Sequence, residues 1–238
     1  MKTPAWSLYL LLSMAAVSYG ELAAGSQTLS IMAGGGFSGS EFDKDVSGNT
    51  NHHEKIANPG GAFGAQYLYY VRSGPALGVG LDILRSSLRE HLADSLSTQY
   101  DFRTRFQPTA VLAIAKLAFG QGRIHPYLFG GIGFHRTTFY WDFQPKNGTT
   151  WFDTQTADNR RIVEGTGTGF AGAGGAGMDI FLTPSIFIGA EARGTYLGTA
   201  TYPITAEGRA LGFSGSDPRG DFVVFNLLGR VGVKFGGD

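Results

Sequence analysis

The sequence predicts an all-β fold, an eight-stranded antiparallel transmembrane up-and-down β-barrel. Three observations predict it. Eight apolar, glycine-rich segments recur along the chain, long and short gaps alternate between them, and charged residues fall on one parity within them. Tight turns at one end of a barrel and long loops at the other are typical of bacterial outer-membrane barrels. The expected location is therefore the cell outer membrane.

The predicted strands share apolar alternation and are bounded by turn residues. They are 28–37, 62–72, 76–86, 105–118, 125–137, 167–182, 185–197 and 221–235. Three gaps are short, at 73–75, 119–124 and 183–184. The other four exceed the usual hairpin connection and are expected to be loops outside the cell; they are 38–61, 87–104, 138–166 and 198–220. An even strand number predicts that both chain ends lie in the periplasm.

The alternation of side chains assigns the two faces of the strands. In the last strand Phe225, Leu227 and Val231 share one parity, and Arg230 and Lys234 share the other. A charge at mid-bilayer on the lipid face costs about 2–4 kcal/mol, so the charged parity is predicted to face the lumen. An unpaired charge is costly in such a space, so ion pairs are expected there. The predicted lumen ion-pair network consists of Asp82, Asp179, Glu191, Arg193, Arg230 and Lys234.

Alternation alone does not separate a membrane barrel from a soluble barrel or sandwich, which would place the apolar face inside. The amino terminus favours the membrane barrel. Lys2 precedes an apolar run from Ala5 to Val17 and then the small residues Ser18 and Gly20, which is typical of a secretory signal peptide. We predict cleavage after Gly20, with Ala24 as second choice, which gives a signal peptide at 1–20 and a barrel domain at 21–238. Tyrosines and phenylalanines near strand ends fit interfacial girdles, namely Tyr67, Tyr69, Tyr127, Tyr196 and Phe222.

Composition excludes several classes of function. The chain has no cysteine, which excludes disulfides, thiolate metal sites and a cysteine nucleophile. Its 19 acidic and 19 basic residues give no electrostatic case for nucleic acid. Eight strands enclose a lumen that side chains can fill, which argues against a general diffusion pore. The interpretation as a narrow channel is not excluded, because inward glycines such as Gly131 and Gly177 leave some space in the lumen.

Motifs for catalysis are weak. Residues 172–177 match the dinucleotide spacing G-x-G-x-x-G, but a strand follows where a phosphate-binding helix should begin. No G-x-S-x-G or H-E-x-x-H string occurs, and His135 is expected to be a satisfied lumen histidine. We therefore predict no enzyme, no catalytic residue and no organic cofactor.

One polar string matches the calcium-loop pattern D-x-[DNS]-x-[DNS]-G-x5-E. Oxygen ligands at these positions surround a hard cation, and Gly48 permits the turn. No helices flank the string, and a polar loop matches by chance, so both interpretations stay open. The candidate calcium ligands are Asp43, Asp45, Ser47, Asn49 and Glu54.

The segment PYLFGGIGF at 126–134 and the run from GGAGMD at 174–179 to GAEAR at 189–193 resemble the OmpA-like transmembrane domain of the small outer-membrane β-barrel family. The resemblance covers essentially the mature chain. It implies that Glu191, Arg193 and Arg230 pair to plug the barrel. It also implies insertion by the barrel assembly machinery, although Phe235 is followed by three further residues where family members end on the aromatic. No peptidoglycan-binding domain follows, so no anchoring role is implied.

The predicted function is a structural or surface-interaction role in the outer membrane, with membrane lipid and lipopolysaccharide as surroundings and an extracellular ligand or surface partner. A narrow channel for small solutes is the alternative, and an outer-membrane hydrolase is third. Exposed aromatics are enriched in binding patches, so loop 138–166 is the candidate contact surface unless its aromatics only belt the membrane. They are Phe139, Tyr140, Trp141, Trp151 and Phe152.

Overall fold

A closed antiparallel barrel forms the body of the protein. The computed structural model describes residues 21–38, 41–44, 52–55, 60–93, 100–120, 122–145, 160–210, 217 and 219–237. The barrel strands are β1 (Gln27–Ser38), β4 (Gly60–Arg72), β5 (Ala76–Ala93), β6 (Tyr100–Ala118), β7 (Ile124–Pro145), β8 (Arg160–Phe181), β9 (Ile186–Thr201) and β10 (Arg219–Phe235). Each pairs with its neighbours in sequence, and β1 closes the ring against β10. The predicted eight-stranded fold class is confirmed.

Two small elements lie between barrel strands. A two-stranded hairpin, β2 (Glu41–Lys44) and β3 (His52–Lys55), lies between β1 and β4. A short helix, α1 (Ala206–Ala210), follows β9, and Ile204 just before it bridges to Val163 on β8. Among the residues described, no helix has the length and apolarity needed to cross a bilayer.

The turns lie where the sequence predicts them, but the strands are longer. Residues 73–75, 119–123 and 182–185 connect strands at one end of the barrel, which we call the short-turn end. We call the opposite end the outer end, after its expected orientation. There β7 continues to Pro145 and β8 starts at Arg160, so 138–166 is partly strand rather than wholly loop. The expectation was wrong because the wall of the extension is polar. The apolar residues switch there to the inward parity, as with Phe139 and Trp141, while the backbone ladder continues.

A band of exposed apolar side chains lies on the outer wall of the barrel. Ile31, Phe134 and Leu227 are 68%, 74% and 65% exposed, whereas Arg230 on the other parity is 3% exposed. A soluble barrel would show the reverse arrangement, so the soluble alternative is wrong. The prediction of interfacial aromatics is wrong for two of its five residues, Tyr127 and Phe222, because both are buried inside the barrel.

Candidate functional site

A cluster of six charged side chains fills the middle of the lumen, and we call it the lumen cluster. Five strands contribute to it, because each charge occupies an inward position of its strand. Its members are Asp82, Lys116, Asp179, Glu191, Arg193 and Arg230. Three cations face three carboxylates, so the cluster is neutral in sum. That balance offsets part of the cost of removing each charge from water.

Arg193 lies between two carboxylates. Its Nη1 and Nη2 donate to Oδ1 and Oδ2 of Asp82 at 2.8 and 2.9 Å. Its Nε donates to Oε1 of Glu191 at 2.7 Å, and Nη2 lies 2.6 Å from the same oxygen. All three side chains have 0% exposure. This fork geometry is the strong form of the arginine–carboxylate pair and fixes the position of β9 relative to β5.

Arg230 joins Glu191 and a third carboxylate, Asp179, to neutral groups. Its Nη1 lies 3.2 Å from Oε2 of Glu191, and its Nε lies 3.4 Å from Oδ1 of Asp179. Its Nη2 donates to Ser30 Oγ and to Gln66 Oε1, each at 2.9 Å. The amide of Gln66 then donates to Asp82 Oδ2 at 3.0 Å, which connects the two halves of the cluster.

Lys116 is the cluster member that sequence reasoning missed. It is fully buried, and its Nζ lies 2.6 Å from Asp179 Oδ2 and 3.5 Å from the centre of the Tyr127 ring. The outward neighbours Ala113 and Ala115 are small, and the inward neighbour Ile114 is apolar, so alternation in β6 does not separate the faces. The available signal was that Lys116 is the single charge in an otherwise apolar strand segment.

Lys234 was predicted in the network but lies apart from it. It is half-buried near the short-turn end, where its Nζ donates to the carbonyl of Glu21 at 3.0 Å. Its parity is inward, but the lumen cluster lies nearer the middle of β10. Leu22, in the same amino-terminal segment, is buried against the barrel interior.

Aromatic rings occupy the space over inward glycines. Tyr127 lies against Gly177, so that a Cβ there would clash with its ring, and a Cβ at Gly175 would lie 2.7 Å from Cε1 of Phe129. The Tyr127 hydroxyl donates to Glu191 Oε2 at 2.8 Å and accepts from Arg230 at 2.7 Å. These glycines accommodate the rings that contact the cluster.

An apolar aromatic cluster fills the outer end of the barrel. The ring centres of Phe106 and Phe222 are 4.3 Å apart, and those of Phe139 and Tyr202 are 5.1 Å apart. Burial raises the pKa of the Tyr202 phenol to about 12. We call this group the outer aromatic cluster; it also includes Trp141.

The aromatics expected to form an exposed contact surface divide between two faces. Phe139 and Trp141 are buried in the outer aromatic cluster, because β7 continues through them and alternate residues point inward. Tyr140 is on the wall, with the Arg161 guanidinium 4.5 Å from its ring centre. Trp151 and Phe152 lie outside the described residues. The predicted surface is therefore wrong for the two inward residues.

His135 is buried and hydrogen-bonded through both ring nitrogens. Its Nδ1 lies 2.8 Å from Thr137 Oγ1 and its Nε2 2.9 Å from the carbonyl of Gly198. With both nitrogens engaged, it has a structural environment rather than that of a general base.

The calcium string falls only partly within the described residues. The backbone register places Asp43 opposite His53 and Phe42 opposite Glu54 in the β2–β3 hairpin, and the other three candidates lie outside the described residues. Within the described part of the chain, no group of three or more possible metal ligands occurs. Calcium binding by this string stays a prediction.

Two solved structures of outer membrane proteins are similar to this chain. OprG from Pseudomonas aeruginosa, an outer membrane protein, is similar in structure with a TM-score of 0.53 at 16% identity, over 92% of this chain and 99% of that one. A major outer membrane protein from Thermus thermophilus has a TM-score of 0.47 at 13% identity, over 88% of this chain and 99% of that one. At these identities the OprG likeness shows the fold alone.

Sequence comparison adds the family. No curated protein matches the chain. The family model described as the outer membrane protein beta-barrel domain matches residues 9–230. Since this match spans most of the sequence, the chain belongs to the outer membrane protein beta-barrel family and is an integral protein of the outer membrane.

Proposed function

We propose that the protein is a non-conducting and non-catalytic scaffold, whose outer end is a contact surface for structures outside the cell. The observation that carries this proposal is the lumen cluster. Six charged side chains, each with 0–4% exposure, join five strands across the middle of the lumen. Ions would have to break buried pairs to pass, and breaking such a pair costs about 3–5 kcal/mol.

Apolar layers on both sides of the lumen cluster support the same proposal. The outer aromatic cluster fills the lumen toward the outer end. Toward the short-turn end, the ring centres of Phe181 and Phe187 are 5.3 Å apart, and both side chains are buried. A hydrated path would have to cross all three layers.

The extended strands support a role outside the membrane. β7 has 22 residues, which at about 3.3 Å per residue and a tilt near 40° spans about 55 Å. The apolar band of such barrels is about 25 Å tall. Beyond the apolar wall, β7 and β8 present polar groups such as Asp142 and Glu164. The outer aromatic cluster gives this extension a packed interior, so it can hold a fixed surface for a partner.

Orientation and processing are part of the proposal. The short-turn end faces the periplasm and the outer end faces outside, as in barrels whose periplasmic turns are short. Residues 1–20 are removed as a signal peptide, and the barrel assembly machinery inserts the remaining chain. Lipopolysaccharide surrounds the outer half.

Planar-bilayer recording of the refolded barrel tests the proposal. The wild type should show no steady conductance. Glu191→Ala removes the carboxylate that both arginines contact, and should raise conductance. Glu164→Ala, whose side chain is 51% exposed on the outer wall, is the matched control and should change nothing. A steady conductance of the wild type would favour the narrow-channel alternative instead.

A further inference from the structure

A row of arginine and threonine side chains crosses four strands on the outer wall. Arg85 pairs with Thr109, Thr109 with Arg136, and Arg136 with Thr168, so the four lie side by side on β5 to β8. Both arginines are exposed. Their backbones are two strand spacings apart, about 10 Å. Two flexible guanidinium groups at that spacing can reach one anion held over Thr109.

An apolar row lies directly beneath, on the membrane side. The residues two positions further along the same four strands are again paired side by side, and all are exposed on the wall. They are Ile83, Val111, Phe134 and Phe170. A shift of two residues is about 7 Å along a strand. The boundary between the two rows is therefore where the apolar band of the wall ends, at the depth of lipid headgroups.

A groove of about 820 Å³ joins the two rows. The β5–β6 ladder stops at Arg85–Thr109 and resumes at Leu88–Phe106, and Pro108 in this interval has no N–H to donate. The Gln107 side chain bridges the interval, accepting from Arg85 and donating to Ser87, each at 3.3 Å.

The charges in the groove are not neutralised by the described part of the protein. No carboxylate among the described side chains forms an ion pair with Arg85 or Arg136. Guanidinium groups bind phosphate through paired charge-assisted hydrogen bonds, and basic pockets at headgroup depth bind anionic lipid.

We infer that this groove binds a phosphorylated outer-leaflet lipid, with its phosphate between Arg85 and Arg136 and its acyl chain on Phe134, Val111 and Phe170. The threonine hydroxyls donate further hydrogen bonds to the phosphate. The inference depends on the proposed orientation, because the groove lies at the outer end. It does not depend on whether the lumen conducts.

Lipid titration of the folded, detergent-solubilised barrel, followed by native mass spectrometry, tests the site. The probes are lipid A with both phosphates, the same lipid A dephosphorylated, and phosphatidylglycerol. We expect one lipid A per barrel, bound at least about tenfold more tightly than the dephosphorylated form, as charged hydrogen bonds of this kind imply. Tighter binding of lipid A than of phosphatidylglycerol identifies a glycolipid as the occupant, and equal binding identifies the phosphate alone as the recognised group.

The matched variants are Arg85→Gln with Arg136→Gln and, at the short-turn end, Arg72→Gln with Arg123→Gln. The two pairs remove the same charge from exposed positions. The variant at Arg85 and Arg136 should lose about tenfold or more in lipid A affinity. The variant at Arg72 and Arg123 should keep wild-type affinity. Heat-modifiable gel mobility shows that each variant is folded. Unchanged binding by the Arg85 and Arg136 variant, or an equal loss in the control, would overturn the inference. Failure of the proposed function would appear separately, as conductance of the wild type.

Discussion

Arg193 and Asp82, 111 residues apart in sequence, form two parallel hydrogen bonds of 2.8 and 2.9 Å inside the barrel. Both side chains are fully buried. They lie on β9 and β5, which are not neighbours in the ring, so the pair crosses the lumen instead of following a ladder. A contact of this kind supports the barrel from within.

Removing Arg193 should therefore be costly. Arg193→Met leaves the Asp82 carboxylate with Gln66 as its remaining described partner, and should lower the free energy of unfolding by about 3–5 kcal/mol. Urea unfolding in lipid vesicles, followed by tryptophan fluorescence, measures the change. Lys234→Met is the control outside the cluster and should cost much less. The double variant with Asp82→Asn should lose less than the sum of the single changes, and strict additivity would contradict the coupling.

The inward glycines give a second prediction. Gly177→Ala would place a Cβ against the Tyr127 ring, whose hydroxyl is held by Glu191 and Arg230, and should destabilise the barrel by about 1–3 kcal/mol. Gly174, three residues away on the outward parity, is the control because a Cβ there meets no atom closer than 3.7 Å. Equal unfolding free energies of the Gly177→Ala and Gly174→Ala variants would show that the ring moves freely.

Topology can be measured because the chain has no cysteine. A single cysteine in place of Arg209 should react with a membrane-impermeant maleimide on intact cells, whereas one in place of Thr183 should react only after the outer membrane is opened. Both positions are exposed. Labelling of the Thr183 position on intact cells would invert the proposed orientation.

Alkaline pH should weaken the outer end through Tyr202. Its pKa is raised to about 12 by burial, against about 10 in an unfolded chain. The neutral phenol therefore contributes stability that is fully present below pH 10 and is lost as the pH rises through 12. The unfolding free energies of the wild type and of Tyr202→Phe are measured at pH 9 and at pH 12. Between these two pH values the wild type should lose about 2 kcal/mol more than Tyr202→Phe. An identical pH dependence of the two proteins would contradict this.

Calcium should bind weakly if the polar string is a site, because no helices organise it; extracellular modules commonly bind at about 10⁻⁴–10⁻³ M. Isothermal titration compares the wild type with Asp43→Ala plus Glu54→Ala. Glu207→Ala plus Asp217→Ala removes the same charge elsewhere and is the control. Equal heats for all three proteins would make the string a chance match.

The sequence by itself determined the strand number, the short turns and the face on which Asp82, Glu191 and Arg230 lie. A period of two is a local property of a strand, and the membrane enforces it wherever a charge would otherwise meet lipid. The same local signal, apolar side chains on the outward parity, ends at the outer end of the barrel, where β7 continues past residue 137 along a polar wall.

Only the tertiary structure decided which inward charges meet. Asp82 and Arg193 share a parity with Lys234, yet the stagger of the strands brings the first two together and leaves Lys234 near Glu21. The contact of Lys116 with Asp179 and the arginine row on the outer wall were likewise decided by the tertiary structure. The depth of each of these residues depends on the register around the closed ring, which no local pattern contains.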